Sequence, residues 1–258
     1  MSADEHSMQS DGVAIRYVDI GEGAPVVFVH GLFGSAEMWM QTGVAPAAQF
    51  RTIALDCRGH GQSGKPHRAD AYGMLMVVDL VNLLDRLNIE KAHFVGYSMG
   101  AEIVLKLATQ YPDRVRSVVV GGSGWSGKPE AALYALLADS LDEGAGLGLA
   151  LKSLNPETTD AEIASANEML QGQDTQALAG VTRAMHELTD VSHGELSAIG
   201  APVLALAGEQ DPERPNLEKM RGVVSDFRMR VLEDRDHMSA VSDPQFKNAI
   251  HEFLAAQE

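Results

Sequence analysis

The stretch HFVGYSMGAEIVLKL, residues 93–107, carries the strongest fold signal in this chain. Its first part is a short apolar run, which predicts a strand buried on both faces, and its last part has apolar residues at helical spacing. Ser98 lies between the two parts, with Gly96 and Gly100 on either side. A turn this sharp needs small neighbours, and it lifts the serine hydroxyl above the sheet. The stretch therefore predicts a strand, a tight turn that carries a serine, and a helix.

Similar apolar runs alternate with segments of helical period along most of the chain. Further strands are predicted at residues 13–20, 26–29, 52–55, 115–120, 202–208 and 228–232. Helices are predicted at residues 72–88, 99–111, around 217–224, and 244–256. Strands that alternate with helices form mostly parallel sheets with right-handed crossovers. We therefore expect an α/β fold with a mostly parallel central sheet of about eight strands, covered by helices on both faces.

The pattern changes between residues 125 and 197, where strand-like runs vanish. Leucines and other apolar residues recur there at spacings of three and four, in two stripes: Leu133, Leu136, Leu137 and Leu141, then Leu178, Val181, Met185 and Leu188. This spacing is typical of amphipathic helices. We interpret residues 125–197 as a small helical cap inserted after the sixth strand, and residues 1–124 with 198–258 as the core domain.

Composition excludes several classes of function. The chain has 258 residues, with 20 Lys and Arg against 36 Asp and Glu, so its net charge is −16 at pH 7. That field repels phosphate backbones and anionic headgroups, so we expect neither nucleic-acid nor membrane binding. The N-terminal residues are polar and acidic, unlike a signal peptide, and no apolar run is long enough to span a bilayer. We expect a cytoplasmic protein, either a monomer or a homodimer.

Metal and cofactor motifs are missing from the sequence. Cys57 is the single cysteine, which excludes an intrachain disulfide and a cysteine-built zinc site. No metal-ligand spacing and no dinucleotide or phosphate loop accompanies the serine motif. We therefore expect no metal and no cofactor.

The serine motif raises the question of a partner base. A serine hydroxyl is a weak nucleophile at neutral pH, and it needs a base that a carboxylate orients. Of the nine histidines, His237 is the best placed, because it follows a late predicted strand and precedes the closing helix. Asp211 follows the strand PVLALAG, whereas Asp234 and Asp236 lie too close in sequence to turn easily onto the His237 ring. The predicted catalytic residues are therefore Ser98, Asp211 and His237.

An acyl transfer also needs two backbone N–H groups to bind its oxyanion. The first should come from Met99, the residue after the serine. The second should come from the turn HGLFG, with Leu32 as first choice and Phe33 as the alternative. Two other histidines in glycine-rich turns, His30 and His60, are expected to make structural hydrogen bonds.

Five apolar side chains are candidates for lining an acyl pocket: Phe33, Trp125, Leu136, Met185 and Met238. Leucine and methionine at helical spacing are more often plain core, so both readings stay open for the residues of the cap. A core role is expected for Trp39, in the first predicted helix.

Taken together, these motifs resemble the α/β-hydrolase family. HGLFGS, DCRGHGQS at residues 56–63, GYSMG, GEQD and DH occur in the family's order over nearly the whole chain. The resemblance implies that the DCRGHGQS turn shapes the loop facing the site, so we expect no catalytic role for Asp56, Arg58 or Ser63. HGLFGS and GYSMG resemble small carboxylesterases and cofactor-free haloperoxidases and perhydrolases. Epoxide hydrolases and haloalkane dehalogenases differ, because they use an aspartate nucleophile.

We therefore expect a serine carboxylic-ester hydrolase that acts on small to medium acyl esters. The first alternative is a carbon–carbon bond hydrolase of ring-cleavage products. That subfamily usually carries a glycine and a tryptophan where this chain has Ala101 and Met238. The second alternative is a ligand receptor that keeps the fold and hydrolyses slowly.

Overall fold

Each predicted strand is present in the computed structural model, which describes residues 4–44, 49–127 and 131–257. The strands are β1 (Asp4–Ser10), β2 (Val13–Ile20), β3 (Ala24–Val29), β4 (Phe50–Leu55), β5 (Ala92–Tyr97), β6 (Val115–Gly121), β7 (Val203–Gly208) and β8 (Phe227–Leu232). They form one eight-stranded sheet in the order β1-β2-β4-β3-β5-β6-β7-β8. β1 pairs with β2, and β2 with β4, antiparallel, whereas the strands from β4 to β8 pair in parallel. The predicted fold class is confirmed.

The helices found in these ranges are α1 (Glu37–Gln41), α2 (Met74–Arg86), α3 (Met99–Gln110), α4 (Ala131–Asp142), α5 (Gly148–Leu154), α6 (Asp160–Glu168), α7 (Thr175–Thr189), α8 (His193–Ser197), α9 (Arg214–Glu218) and α10 (Pro244–Ala255). One apolar cluster packs α2, α3 and α7 on one face of the sheet, and another packs α1 and α10 on the other. Val27 and Val29 belong to the first cluster, and Val26 and Phe28 to the second. This alternation is why the central strands are apolar throughout.

Helices α4 to α8 all lie between β6 and β7, within the segment predicted as a cap. Helices α4 and α7 and the residue before α5 form a small apolar cluster of their own, made of Ala138, Leu141, Leu147, Leu178 and Ala179. The side chains of Leu32 and Phe33, which follow β3, pack against that cluster. The division into two domains stays a prediction. Trp39 is fully buried beside Phe28, in the core position expected for it.

Strand β1, at the sheet edge, was not predicted from the sequence. Its signal was the pair Asp11-Gly12, which takes φ values of 47° and 75°. Two successive positive φ values favour a tight hairpin of the type that Asp-Gly sequences form. β1 itself is mostly polar because an edge strand buries few side chains, here Met8 and Ser10.

The helix predicted around residues 217–224 was wrong in its bounds. Helix α9 spans Arg214–Glu218, and turns follow it. Pro215 in the first turn suits a helix start, and Gly222 with a φ of +81° stands where a longer helix would continue. Leu217, Met220 and Val224 are buried all the same, which produced the helix-like apolar pattern.

The order of the strands reverses at β3, and this positions the site. β3 leads to β4 on one side, while β5 pairs with β3 on the other side. In open parallel sheets, ligands bind at the carboxyl edge next to such a switch point. Val29 of β3 lies opposite Gly96 of β5, so the residues that follow the two strands are neighbours.

Candidate active site

Ser98 lies on a strained turn between β5 and α3. Its φ of 53° and ψ of −120° are unusual for a residue with a side chain. A Cβ on Gly96 would collide with the backbone of Gly100, and one on Gly100 would collide with the carbonyl of Val29. The two glycines are therefore required by close backbone approaches on each side of the serine. The turn presents Ser98 at the carboxyl edge of the sheet, at the N-terminus of α3.

The structure brings the three predicted catalytic side chains into one hydrogen-bonded row. The Nε2 atom of His237 lies 3.1 Å from the Oγ atom of Ser98. On the other side of the ring, Nδ1 lies 3.1 Å and 3.2 Å from the two carboxylate oxygens of Asp211. The Asp211 side chain is fully buried, and that of His237 is 27% exposed. An imidazole placed in this way can exchange a proton with the serine hydroxyl while the carboxylate orients it.

The loops after β7 and β8 are held together by close backbone contacts. The N–H of Gln210 donates to the carbonyl of Arg235 at 2.9 Å. A Cβ on Gly208 would collide with that same carbonyl. The Asp211 carboxylate also accepts a hydrogen bond from the Glu213 N–H at 2.9 Å. These contacts orient Asp211 towards the ring of His237.

Of the two competing acids near His237, Asp236 has its carboxylate engaged elsewhere. Asp236 accepts hydrogen bonds from the N–H and the hydroxyl of Ser239 and from the N–H of Met238. The hydrogen bonds from Ser239 lower the pKa of Asp236 and orient its carboxylate along its own turn. Asp234 has a φ of 55°, and its N–H donates to the Glu209 carboxylate.

Tyr97 supports the base, a role that was not predicted from the sequence. Its hydroxyl donates to the backbone carbonyl of His237, and the two rings lie 5.5 Å apart. Burial raises the pKa of Tyr97, and the charges of Asp211 and Asp236 add to the effect, so the hydroxyl stays protonated. A tyrosine directly before a serine turn was the only local signal for this role.

The two predicted oxyanion donors lie on adjacent loops. Gly31 is next to the serine, because a Cβ built on it would lie 3.4 Å from the Ser98 Cβ. In the described part of the chain, the backbone N–H groups of Leu32 and Met99 donate to no protein acceptor. The alternative donor, the N–H of Phe33, has no such acceptor either. Their use as oxyanion donors, and the choice between Leu32 and Phe33, stay predictions.

His30 and His60 are fully buried beneath this loop and make the expected structural hydrogen bonds. The Nε2 atom of His30 accepts from the N–H of Cys57 at 3.0 Å, and Nδ1 lies 2.7 Å from the Gly31 carbonyl. His60 contacts the Leu32 carbonyl at 2.6 Å. Burial lowers the pKa of His30 to about 4 and that of His60 to about 3.

The turn at residues 56–63 is a scaffold, as the family resemblance implied. The Asp56 carboxylate accepts from the N–H groups of Ala36 and Gln62, both at 2.8 Å. The guanidinium of Arg58 binds both oxygens of Asp79 at 2.7 Å, with both side chains buried.

The predicted pocket residues have diverse surroundings. Met185 is buried in the main apolar cluster, and Phe33 packs against the α4–α7 cluster. Trp125 donates its indole N–H to the Val191 carbonyl at 2.7 Å. Leu136 is half-buried, whereas Met238 is 62% exposed beside His237. A role in substrate binding stays a prediction for all five.

Side-chain clusters and helix lengths in the described ranges bear on metals and membranes. No group of three or more His, Cys, Asp or Glu side chains there is arranged to hold a metal ion. Among the helices of those ranges, none combines the length and the apolar character that crossing a bilayer requires.

A mostly parallel sheet with a serine on a strained strand-to-helix turn at its carboxyl edge defines the α/β-hydrolase class of folds. A family model described as the α/β hydrolase fold matches residues 24–244. The enzyme 3-oxoadipate enol-lactonase 1 of Acinetobacter baylyi is 30% identical over 241 residues, which cover 87% of this chain and 86% of the lactonase. This chain belongs to the α/β-hydrolase family.

Solved structures agree on the fold. A hydrolase from Pseudomonas aeruginosa superposes with a TM-score of 0.80 at 24% identity, over 97% of this chain and 98% of that one. A carboxylesterase structure from the thaumarchaeon Nitrososphaera gargenis has a TM-score of 0.78 at 23% identity, over 98% of both chains. The resemblance read from the sequence motifs is therefore confirmed for the family and the fold.

Proposed function

We propose that this protein is a serine carboxylic-ester hydrolase that acts on small to medium acyl esters, lactones included. The observation that carries the proposal is the row in which Ser98, His237 and Asp211 are joined by contacts of 3.1–3.2 Å. Similarity to an enol-lactonase over most of both chains supports cyclic esters among the substrates. A lactone is an ester whose acid and alcohol belong to one molecule, so the same chemistry opens it.

In the proposed reaction, His237 Nε2 takes the hydroxyl proton as the Oγ atom of Ser98 attacks the ester carbonyl. Asp211 orients the ring through Nδ1 and stabilises the imidazolium. The N–H groups of Met99 and Leu32 bind the oxyanion, and the positive end of the α3 dipole adds to that stabilisation. His237 then returns the proton to the leaving alcohol as the C–O bond breaks. Water, deprotonated by His237, attacks the acyl-serine and releases the acid.

The Ser98→Ala variant tests the nucleophile. Its kcat on p-nitrophenyl acetate, p-nitrophenyl butyrate and δ-valerolactone should fall by about 10⁴-fold or more, because no hydroxyl remains to form the acyl-enzyme. Ser197→Ala removes an exposed hydroxyl at the end of α8 and serves as the matched control, with wild-type rates expected. Wild-type turnover by Ser98→Ala would show that Ser98 is not the nucleophile.

The same panel, extended by a ring-cleavage product, separates the two alternatives. A vinylogous diketone from ring cleavage, turned over much faster than every ester, would replace the proposal with carbon–carbon hydrolysis. Tight ligand binding with turnover far below about 1 s⁻¹ on all esters would indicate a receptor instead.

A further inference from the structure

Three consecutive backbone carbonyls after β3 each accept a hydrogen bond from a different side chain. The Gly31 carbonyl accepts from His30 Nδ1 at 2.7 Å, and the Leu32 carbonyl from His60 Nε2 at 2.6 Å. The Phe33 carbonyl accepts from the side-chain amide of Gln173 at 3.1 Å. The histidines belong to the sheet scaffold, but Gln173 lies between α6 and α7, in the helical segment that covers it.

Each carbonyl determines where the next N–H points. In a trans peptide the C=O and the N–H point in opposite directions, so a fixed Gly31 carbonyl fixes the Leu32 N–H. The tautomer of His30 is set as well, because its Nε2 accepts from the Cys57 N–H and Nδ1 must then carry the proton. The Leu32 N–H, with no protein acceptor of its own, is thereby aimed away from the scaffold.

Gln173 lies at the start of a hydrogen-bonded chain that ends at this N–H. Its amide donates to the Phe33 carbonyl, and the N–H of the same peptide group, that of Gly34, donates to the Gly31 carbonyl at 2.9 Å. The N–H of that second peptide group belongs to Leu32. Hydrogen bonds in series polarise one another, so the donor at one end strengthens the donor at the other.

The position of Gln173 is determined by its neighbours on both sides. Its own N–H donates to the Leu170 carbonyl at 3.0 Å. Asp174 caps α7 by accepting from the Ala177 N–H at 3.0 Å, and it contacts the ring of His67 at 2.9 Å. His67 precedes α2, so this contact joins the helical segment to the core at the point where Gln173 reaches the loop.

We propose that Gln173 is a positioning residue for the oxyanion site: it orients and polarises the peptide groups of residues 31–34 and so strengthens the Leu32 donor. The inference rests on the proposed function for its reaction, although the geometry is independent of the substrate. It implies that the segment between β6 and β7 contributes to catalysis itself, in addition to covering the site.

The experiment compares wild type, Gln173→Met, Gln173→Glu and Gln171→Met, each as the full chain. Met keeps the length of the side chain but cannot donate, and Glu replaces the donor with an anion that repels the carbonyl. Gln171 is an exposed glutamine two residues away whose side chain makes no hydrogen bond to the loop, so Gln171→Met is the matched control. The readouts are kcat and KM for p-nitrophenyl butyrate, and the rate at which paraoxon phosphorylates Ser98, followed by mass spectrometry.

For Gln173→Met we expect kcat to fall about three- to tenfold with KM within about twofold, and Ser98 labelling to slow by a similar factor. Gln173→Glu should lose more, and Gln171→Met should match wild type. A misplaced pocket would raise KM instead, so the split between kcat and KM distinguishes positioning from simple packing. Thermal unfolding verifies that the variants fold. If Gln173→Met does not fold, the kcat and the labelling rate of Gln173→Glu test the inference in its place.

Two results would overturn the inference: wild-type kcat and labelling in Gln173→Met, or an effect confined to KM. Failure of the proposed function gives a different pattern. Wild type would then label with paraoxon but hydrolyse no ester, and slower labelling of Gln173→Met would still support the role of Gln173.

Discussion

Acidification should destabilise this protein before most of its carboxylates titrate, because His30 and His60 are buried as neutral rings. Burial lowers the pKa of His30 to about 4, and burial together with the neighbouring His30 lowers that of His60 to about 3. The two rings lie 5.0 Å apart. The carbonyls that contact His60 favour the charged ring, but they do not outweigh its burial.

The sign follows from proton binding in the two states. Both pKa values are lower in the folded chain than the ordinary value of about 6.5, so the unfolded chain binds more protons as the pH falls below 6.5. The stabilisation is complete above that pH and is lost as the pH falls towards the folded values. Between pH 7.5 and pH 5, the loss of unfolding free energy is nearly the same for any folded-state pKa that lies well below 5. It amounts to about 2 kcal/mol for each ring, or about 4 kcal/mol for the pair.

Urea unfolding at pH 7.5, 6 and 5, followed by tryptophan fluorescence and circular dichroism, measures this loss. The His60→Asn variant should be less stable at pH 7.5 because it leaves the Leu32 carbonyl without its donor. Its free energy of unfolding should then fall by about 2 kcal/mol less than that of wild type between pH 7.5 and 5. Between pH 7.5 and 8.5 the two curves should run parallel, which is the internal control. Parallel curves down to pH 5 would refute the burial of a neutral His60.

Three further predictions, made with four substitutions, concern contacts in and around the site. Gly100→Ala should lower the free energy of unfolding by about 3 kcal/mol, because the new Cβ collides with a backbone carbonyl of β3; an unchanged thermal midpoint would contradict this. Arg58→Met should cost about 3–5 kcal/mol because it leaves the buried Asp79 carboxylate unpaired. Adding Asp79→Leu to Arg58→Met should recover part of the lost free energy of unfolding, as measured by urea unfolding. If the double variant recovers none of it, the buried ion pair is not the cause of the loss. Tyr97→Phe should lower kcat about fivefold at nearly constant KM, because the His237 carbonyl loses its donor. Steady-state kinetics measures both constants, and a change in KM alone would contradict this prediction.

The local sequence was enough to predict the structure wherever residues that are neighbours in the chain determine the conformation. The turn at Ser98 was predictable because its two glycines, its strand and its helix follow one another directly along the chain. The order of strands and helices implied the parallel sheet for the same reason. β1 was missed although the Asp11-Gly12 signal was present, because its polar residues do not look like a strand.

The candidate catalytic row could also be predicted, although its members lie far apart in sequence. Parallel strands place their carboxyl ends at one edge of the sheet, so residues that follow different strands meet there. Asp211 and His237 each follow such a strand. Choosing Asp211 over Asp236 was possible because an aspartate next to the histidine cannot easily reach its ring.

The composition and local pattern of this chain were enough to specify a parallel sheet, a serine turn and the loops that carry an acid and a base. The supporting contacts came only from the folded chain: Tyr97 reaches His237, and Gln173 reaches Phe33, each across 140 residues. Contacts of this kind depend on how helices and loops pack on the finished sheet. No periodicity encodes that packing, because many side chains could fill each position and the neighbours that select among them lie elsewhere in the sequence.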